Sequence, residues 1–292
     1  MNATIAIASG KGGTGKTTVA LNLAAVADQP VKLLDCDVEA PNDHLFIKPG
    51  RVEERVSMVM IPEFDQERCD GCGRCKQHCR FNAIAVLGGK PMLFPELCHS
   101  CGACVPVCPR GAISEAQRSI GVARRGTKDH ISLIYGVLDV GEAKSPPLIG
   151  DVKSALKDGA EGIDGQEWTG LTIIDAPPGT SCPVVAAVKH SDYLLLVTEP
   201  TPFGLHDLRL AVGMAQALGL KHGVVINRCD LGNGALVHDF CVANRISLLA
   251  ELPFDRRVAE AYAAGQIPAV AVPDIASAYR RLYQRIDEVM AS

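Results

Sequence analysis

Gly10-Lys11-Gly12-Gly13-Thr14-Gly15-Lys16-Thr17 is the stretch on which the reading of this chain turns. It fits the spacing G-x4-G-K-[ST], and its surroundings fit as well. Thr4 to Ala8 (TIAIA) is a β-branched and apolar run that predicts a buried strand, and Lys16 to Ala27 has the composition of a helix. Glycines let a backbone curl until successive N–H groups point at one spot, and the start of a helix adds partial positive charge there. Such a loop is made for phosphate. Gly10, Gly12, Gly13, Thr14, Gly15, Lys16, Thr17 and Thr18 are therefore nucleotide-binding candidates. Lys16 is placed to reach the β- and γ-phosphates, and the Thr17 hydroxyl to bind Mg²⁺. The bland alternative is a glycine turn with no ligand, which the strand and helix on either side disfavour.

Further along, Val31 to Cys36 (VKLLDC) reads as a second strand and completes a βαβ unit, which implies a parallel sheet with right-handed crossovers. The same pattern resumes in Leu171–Ala176, Tyr193–Thr198, Gly223–Asn227 and Ile246–Ala250, with helices between them, one from Leu205 to Leu218 and a last one from Ala276 to Met290. Ser132 to Val140 is a candidate strand, Ile149 to Lys157 a candidate helix, and Asp158 to Gly170 a polar surface loop. The 292 residues are 47% hydrophobic but only 4% aromatic, so aliphatic side chains must fill the core, as buried parallel strands require. The expected fold is α/β: a mostly parallel sheet with helices on both faces.

Eight of the 12 cysteines fall between Cys69 and Cys108. They form a repeat: Cys69-x2-Cys72-x2-Cys75-x3-Cys79, then Cys98-x2-Cys101-x2-Cys104-x3-Cys108. Each copy is followed by an apolar echo, Asn82-Ala83-Ile84 and Gly111-Ala112-Ile113. Around it the chain is rich in Gly and Pro and poor in long periodic elements. The organisation expected is a nucleotide-binding domain in two parts, 1–61 and 117–292, interrupted by a module at 62–116 held by metal rather than by a hydrophobic core. Zinc sites show two C-x2-C pairs set further apart, which fits this spacing poorly. The repeat resembles the bacterial two-cluster ferredoxin, in which three cysteines of a run hold one cluster and the fourth holds the other. That resemblance implies two [4Fe–4S] clusters, one on Cys69, Cys72, Cys75 and Cys108, the other on Cys98, Cys101, Cys104 and Cys79. Pro109 follows the last cysteine as the pattern expects; Arg80 stands where the first copy would have proline. His78 and His99 beside the ligands read as solvated or supporting groups.

With Lys11 as a second, early lysine, K-G-G-T-G-K-T-T resembles the deviant phosphate loop of the MinD, ParA, Mrp and nitrogenase-iron-protein class of ATPases, some of which carry an inserted ferredoxin domain. The resemblance implies ATP hydrolysis by a dimer in which Lys11 contacts the nucleotide of the facing subunit; on bare chemistry Lys11 is equally a solvated loop lysine. It further implies catalytic roles for Lys11, Lys16, Asp37 and Asp175. Asp37 in Asp35-Cys36-Asp37 would position the attacking water, since phosphoryl transfer needs a held nucleophile more than a strong base. Asp175 in Asp175-Ala176-Pro177-Pro178-Gly179 would support Mg²⁺ with Thr17 and Asp37, and Gly179 would sense the γ-phosphate. Either aspartate alone could merely cap a turn. Asn227, Arg228, Pro253 and Asp255 resemble the segments that read the adenine. Cys182, seven residues after Asp175, matches the offset of a cluster-ligating cysteine in the nitrogenase iron protein; the resemblance implies a place near a dimer interface, coupling nucleotide state to redox or metal chemistry, and a buried core cysteine is the alternative. Cys36, Cys229 and Cys241 read as core, and the C-terminal C-P-x-C of Mrp-type carriers is absent.

The formal net charge of -4, with no long basic run, disfavours a nucleic-acid partner. No apolar run reaches the length of a membrane span and no secretory leader is evident, so a cytoplasmic protein is expected. Partners implied are a second copy or a related ATPase, and a redox or metal-cluster protein. Three functions remain open: nucleotide state coupled to electron transfer or docking, an ATP-dependent scaffold or carrier for metal clusters, and a MinD-like positioning ATPase whose clusters are structural. The last helix lacks a basic amphipathic face for a membrane, which ranks the third reading lowest.

Overall fold

The computed structural model describes residues 2–154 and 168–291. In chain order the elements are β1 (Thr4–Ala8), α1 (Lys16–Val26), β2 (Val31–Asp35), α2 (Asp43–Ile47), β3 (Val52–Phe64), α3 (Arg74–His78), β4 (Ile84–Leu87), β5 (Lys90–Leu93), β6 (Ile113–Lys128), β7 (Ile131–Leu138) and α4 (Ser145–Ser154). There follow β8 (Leu171–Asp175), α5 (Cys182–Val188), β9 (Tyr193–Thr198), α6 (Pro202–Ala217), β10 (His222–Asn227), α7 (Gly234–Ala243), β11 (Ser247–Leu252), α8 (Arg256–Ala263), α9 (Pro268–Ala271) and α10 (Pro273–Ala291).

One nine-stranded sheet runs β11-β10-β9-β1-β8-β2-β7-β6-β3, parallel from β11 to β7 and antiparallel from β7 to β3. Alternation along the strands assigns side chains to its two faces. Ile5 and Ile7 of β1, Leu33 of β2, Ile173 of β8 and Leu195 of β9 pack with α1, α2 and α10. Ala6, Ala8, Leu34, Ile174 and Leu196 pack with α4, α5, α6 and α7 on the other side. Both faces are covered, so the parallel strands read as continuous apolar runs. Helix α1 is buried along most of its length, and its Asn22 is satisfied by donating to the Thr18 carbonyl at 2.6 Å and accepting from the Ala269 N–H at 2.5 Å.

The strand boundaries expected from sequence agree with those observed to within about two residues, with α6 starting three residues earlier than its expected Leu205. Helix α4 starts four residues before the expected Ile149, and residues 155–157 of that expectation lie outside the described residues, as do 158–167 of the expected loop. The larger departure is β3 and β6. No element is expected from the sequence over 52–61 or 115–128, where most of β3 and β6 lie, and their ends at 62–64 and 113–114 enter the stretch expected to lack long strands. The reason is visible in Val52–Phe64, whose apolar residues alternate only loosely and whose first half is largely exposed, as an edge strand allows.

The two strands form one long antiparallel ribbon. Gly121 to Gly126 pairs with both β7 and β3, whereas Ile113 to Ser119 pairs with β3 alone. Between them the register shifts: Ser57 faces Gly121 and Met58 faces Ser119, leaving Ile120 as the extra residue of a bulge. Bulges bend a strand and increase its twist. Here the bulge lies where the ribbon leaves the main sheet. Ile120 is fully buried against the α4 side of the core, and a Cβ on Gly121 (φ 152°) would lie 2.4 Å from the Val137 carbonyl oxygen. The ribbon carries residues 65–112, with short α3 and the β4–β5 hairpin, away from the sheet.

Candidate functional site: a phosphate loop beside a cysteine ribbon

The phosphate loop leaves β1 and turns into α1 through Gly15, which has φ 95°. Glycine is needed there twice over, because a Cβ would also lie 2.4 Å from Nδ2 of Asn227. That amide donates to the Thr14 carbonyl at 2.8 Å, so the end of β10 braces the loop. Gly10 is fixed by close approach instead: a Cβ would meet the Asp207 carbonyl oxygen at 2.2 Å. A cavity of about 740 Å³ opens beside the loop at the carboxyl ends of the strands, where open α/β sheets bind ligands. Gly12, Gly13, Gly15, Lys16, Thr17, Thr18, Asp37, Asn227, Arg228, Pro253 and Asp255 line it.

Asp175, at the end of β8, accepts a 2.6 Å hydrogen bond from the Thr17 hydroxyl. Its other oxygen is buried without a partner among the described residues, as is the Thr14 hydroxyl. An orphaned carboxylate oxygen next to a threonine hydroxyl fits a hard cation such as Mg²⁺, which takes oxygen ligands. Lys16 is buried, and that burial lowers its pKa against the opposing pull of Asp175 and Asp37. Burial likewise raises Asp37, with Lys16 pulling it back. Lys16, Thr17, Asp37 and Asp175 thus form one electrostatic unit.

Lys11 and Gly179 are placed differently. Gly179 (φ 94°) returns its N–H to the Ser9 carbonyl at 3.0 Å, which ties the β8 loop to the phosphate loop. Lys11 is partly exposed and pairs with Glu199 at 3.3 Å, and the second oxygen of Glu199 takes Arg228 at 2.6 Å. Glu199 is a residue the sequence did not single out. It sits one position past the end of β9, and only the parallel order of β9, β1 and β10 brings it to two cations from distant loops. Asp255 caps α8 and is held by Arg257 at 2.7 Å.

Asp35 and Asp43 were also missed. Their carboxylates and that of Asp175 lie within 4.8 Å of one another, all buried. Asp35 accepts from the backbone N–H groups of Asp37, Asn42 and Asp43. Both oxygens of Asp43 lack partners among the described residues. Burial first, then the charge of Asp175, lifts the Asp35 carboxyl to about 8; burial lifts Asp175 to about 6 and raises Asp43 well above the ordinary carboxylate range. Asp43 opens a five-residue helix after a loop, which no spacing rule would flag.

At the far end of the ribbon the repeat is written into the backbone. Asn82 and Gly111, equivalent positions, have φ 54° and 55°; Gly73 and Gly102 have 74° and 68°. Ala83 and Ala112 each donate an N–H to the sulfur of the preceding fourth cysteine, Cys79 and Cys108, at 3.3 Å. One cavity gathers Cys69, Cys72, Cys75 and Cys108, and a second gathers Cys79, Cys98, Cys101 and Cys104. Each cavity thus takes three cysteines from one run and the fourth from the other. Among the described residues, no three of these sulfurs lie within 4.8 Å of one another. Tetrahedral zinc with ~2.3 Å bonds would hold them about 3.8 Å apart, so the spread suits a larger group. His99 stacks on Phe81 at 3.8 Å, and Nδ1 of His78 contacts the Arg74 carbonyl at 2.9 Å.

Of the remaining cysteines, Cys36 and Cys241 are buried as expected, with burial raising both thiols. Cys229 is only partly buried. Cys182 is exposed at the first turn of α5. Among the described residues, no helix is long and apolar enough to cross a membrane.

These features have relatives. A protein of Methanocaldococcus jannaschii without an assigned function is 31% identical over 97% of this chain and 96% of its own length. An iron–sulfur cluster carrier protein of Aquifex aeolicus is 24% identical over 99% of this chain and 68% of its own. One subunit of a Na⁺-translocating ferredoxin:NAD⁺ oxidoreductase complex from Acetobacterium woodii is 47% identical over 57 residues, 18% of this chain and 17% of its own. The fold matches that of the septum site-determining protein MinD from Pyrococcus horikoshii, solved with Mg-ADP, at 20% identity and TM-score 0.60, covering 99% of this chain and 97% of that one. Residues 5–269 match the CobQ/CobB/MinD/ParA nucleotide binding domain, and the chain belongs to that family.

Proposed function

We propose that this chain is an ATP-hydrolysing iron–sulfur protein in which the state of the nucleotide site governs two [4Fe–4S] clusters carried on the β3–β6 ribbon. The observation that carries the reading is the gathering of eight cysteines into two cavities with exchanged fourth members, at the tip of a ribbon continuous with the nucleotide-binding sheet. The domain division follows: residues 1–61 and 117–292 bind nucleotide, and 62–116 form a ferredoxin-like insert.

Lys16 and the loop N–H groups would hold the phosphates, Thr17 and Asp175 would hold Mg²⁺, and Asp37 would position the attacking water. The bound Mg²⁺ would neutralise charge on the phosphates; the protein's own share is orientation and electrostatic stabilisation. Asn227, Arg228, Pro253 and Asp255 line the wall where a base would lie. Lys11, now paired with Glu199, would exchange that partner for the nucleotide of a second subunit, either a copy of this chain or a related ATPase. Cys182, exposed beside the loop that follows Asp175, would face that interface.

Electron transfer is the first use of such clusters, to a redox partner docked at the ribbon tip. Delivery of the clusters as cargo is the second. It is favoured by the carrier relatives that match the chain end to end and by the exposure of Cys72 and Cys101. The test follows the fate of the iron. Reconstituted protein is reduced anaerobically and given ATP, with an oxidised ferredoxin or an apo-ferredoxin as acceptor. Reoxidation with iron retained supports electron transfer. Iron moving to the apo-acceptor supports delivery. Protein that binds no iron and sulfide, or no ATP, sinks both.

A further inference from the structure

The nucleotide site and the cysteine ribbon are joined by a short bridge that does not pass through the ribbon strands. It starts just after β2. The Val38 carbonyl accepts from the Leu138 N–H at 3.0 Å, which locks the residues following Asp37 to the end of β7. The next residue, Glu39, accepts from the hydroxyl of buried Ser145 at 3.1 Å. Ser145 is preceded by Lys144, whose Nζ donates to two carbonyls of the second cysteine loop, Pro95 at 3.1 Å and Cys98 at 2.6 Å.

The bridge has a fixed footing. Glu142, with a side chain 3% exposed, pairs with Arg118 of β6 and accepts the N–H groups of Ala143 and Lys144, each at 3.0 Å. Residues 142–145 are therefore clamped to the ribbon by one side and to Glu39 by the other. The Lys144 ammonium, on a side chain 14% exposed, lies against the backbone of a candidate cluster ligand. At the first cysteine loop, the Arg110–Asp70 pair at 3.0 Å is exposed, as is Arg68 beside Cys69. The second cysteine loop thus carries on its backbone a largely buried ammonium, 3.9 Å from the Glu142 carboxylate, where the first carries an exposed ion pair.

Resting on the reading that the chain binds ATP and two clusters, we propose that Lys144 is a positioning residue. It transmits movement of Asp37–Glu39 to the Cys98 loop and tunes only the cluster held by Cys79, Cys98, Cys101 and Cys104. A positive charge near a cluster favours its reduced state, and the loop carbonyls follow any displacement of the lysine. Glu39 and Ser145 provide the mechanical link.

The test is an EPR-monitored redox titration of the reconstituted full chain, with and without Mg²⁺ and AMPPNP. It is paired with hydrogen exchange of residues 95–101. In the wild type, nucleotide should shift the potential of one cluster only and change exchange in the Cys98 loop. Lys144→Met should shift that cluster to lower potential without nucleotide, leave the other in place, and lose both nucleotide responses. Ser145→Ala should keep the resting potentials and lose the responses, with AMPPNP affinity unchanged in both variants. Wild-type responses in Lys144→Met and Ser145→Ala overturn the proposal alone, as does a doubly loaded wild type that shows no response. A chain that holds no clusters, or binds no AMPPNP, overturns the underlying reading with it.

Discussion

At the carboxyl ends of β1, β2 and β8 the site residues stand on an apolar core that fills both faces of a sheet. At the tip of the β3–β6 ribbon the cysteines stand chiefly on Ala83, Ile84, Ala112 and Ile113, two small pairs related by the repeat. The first region can bury an unpartnered acid, such as Asp43 with its carboxyl raised well above the ordinary range by burial, because the packed core around it fixes its backbone. The second has no such reserve. Its left-handed residues and N–H···S contacts define a shape, and the proposed clusters on the eight sulfurs would supply the stability that so small a core lacks. On the proposed reading the chain thus combines a region supported by its own core with one that depends on metal, linked by a bulged ribbon and by the Lys144 contacts.

The largest effect expected separates the two. Chelating the iron under anaerobic conditions should unfold residues 65–112 and expose them to protease, while ATP binding persists; loss of ATP binding together with the ribbon tip would show that the halves fold as one unit. Cys69→Ser with Cys108→Ser should lower bound iron from about eight to about four per chain, since both residues face one cavity. The converse experiment is Lys16→Ala. ATP turnover should fall by on the order of 100-fold or more, as expected when a charge-stabilising donor is lost, with iron content unchanged.

A smaller effect probes the buried acids. Folding raises the pKa of Asp35 from 3.8 to about 8, so the folded state holds its proton more tightly than the unfolded chain. Its contribution to stability is therefore full below the unfolded value and is lost as pH rises towards about 8. Nucleotide-free protein should melt at a lower temperature at pH ~8 than at pH ~6. Asp43→Asn should recover about 1–3 kcal/mol at the higher pH, because it removes an unpaired buried charge; equal melting curves for the two proteins would remove the three-carboxylate argument. The smallest effect is expected from Glu199→Gln, which frees Lys11 and Arg228. These are partly exposed ion pairs worth about 1 kcal/mol or less, so ATP turnover should change by less than about tenfold. A larger fall would make Glu199 part of the site rather than a resting partner for Lys11.

Much of this was legible in the chain itself. Local chemistry dictates a phosphate loop, because Gly15 and Lys16 must occupy set positions along a few residues. The same holds for the cysteine repeat, whose resemblance to a two-cluster pattern implied exchanged fourth ligands. Continuous apolar runs identified the core strands, since burial on both faces leaves no other pattern. The ribbon strands escaped because an edge strand with one exposed face carries a weak pattern. Glu199, Asp43 and Lys144 escaped for a different reason: each meets a group far along the chain, Lys11, Asp175 and Cys98 respectively, and no local rule reaches that far.

The two candidate chemistries are therefore proposed from the sequence: phosphate binding at Gly10–Thr17, in keeping with the nucleotide binding domain that the chain matches, and metal ligation at Cys69–Cys108. Each depends on residues close together in the chain. How the two are arranged emerges only on folding. The bulge at Ile120 sends the ribbon out of the sheet, and the return of the chain after β7 places Lys144 between Glu39 and Cys98. Those contacts arise from packing elements far apart in sequence, where the free energy of burying the shared core outweighs the entropy of closing the long loops between them.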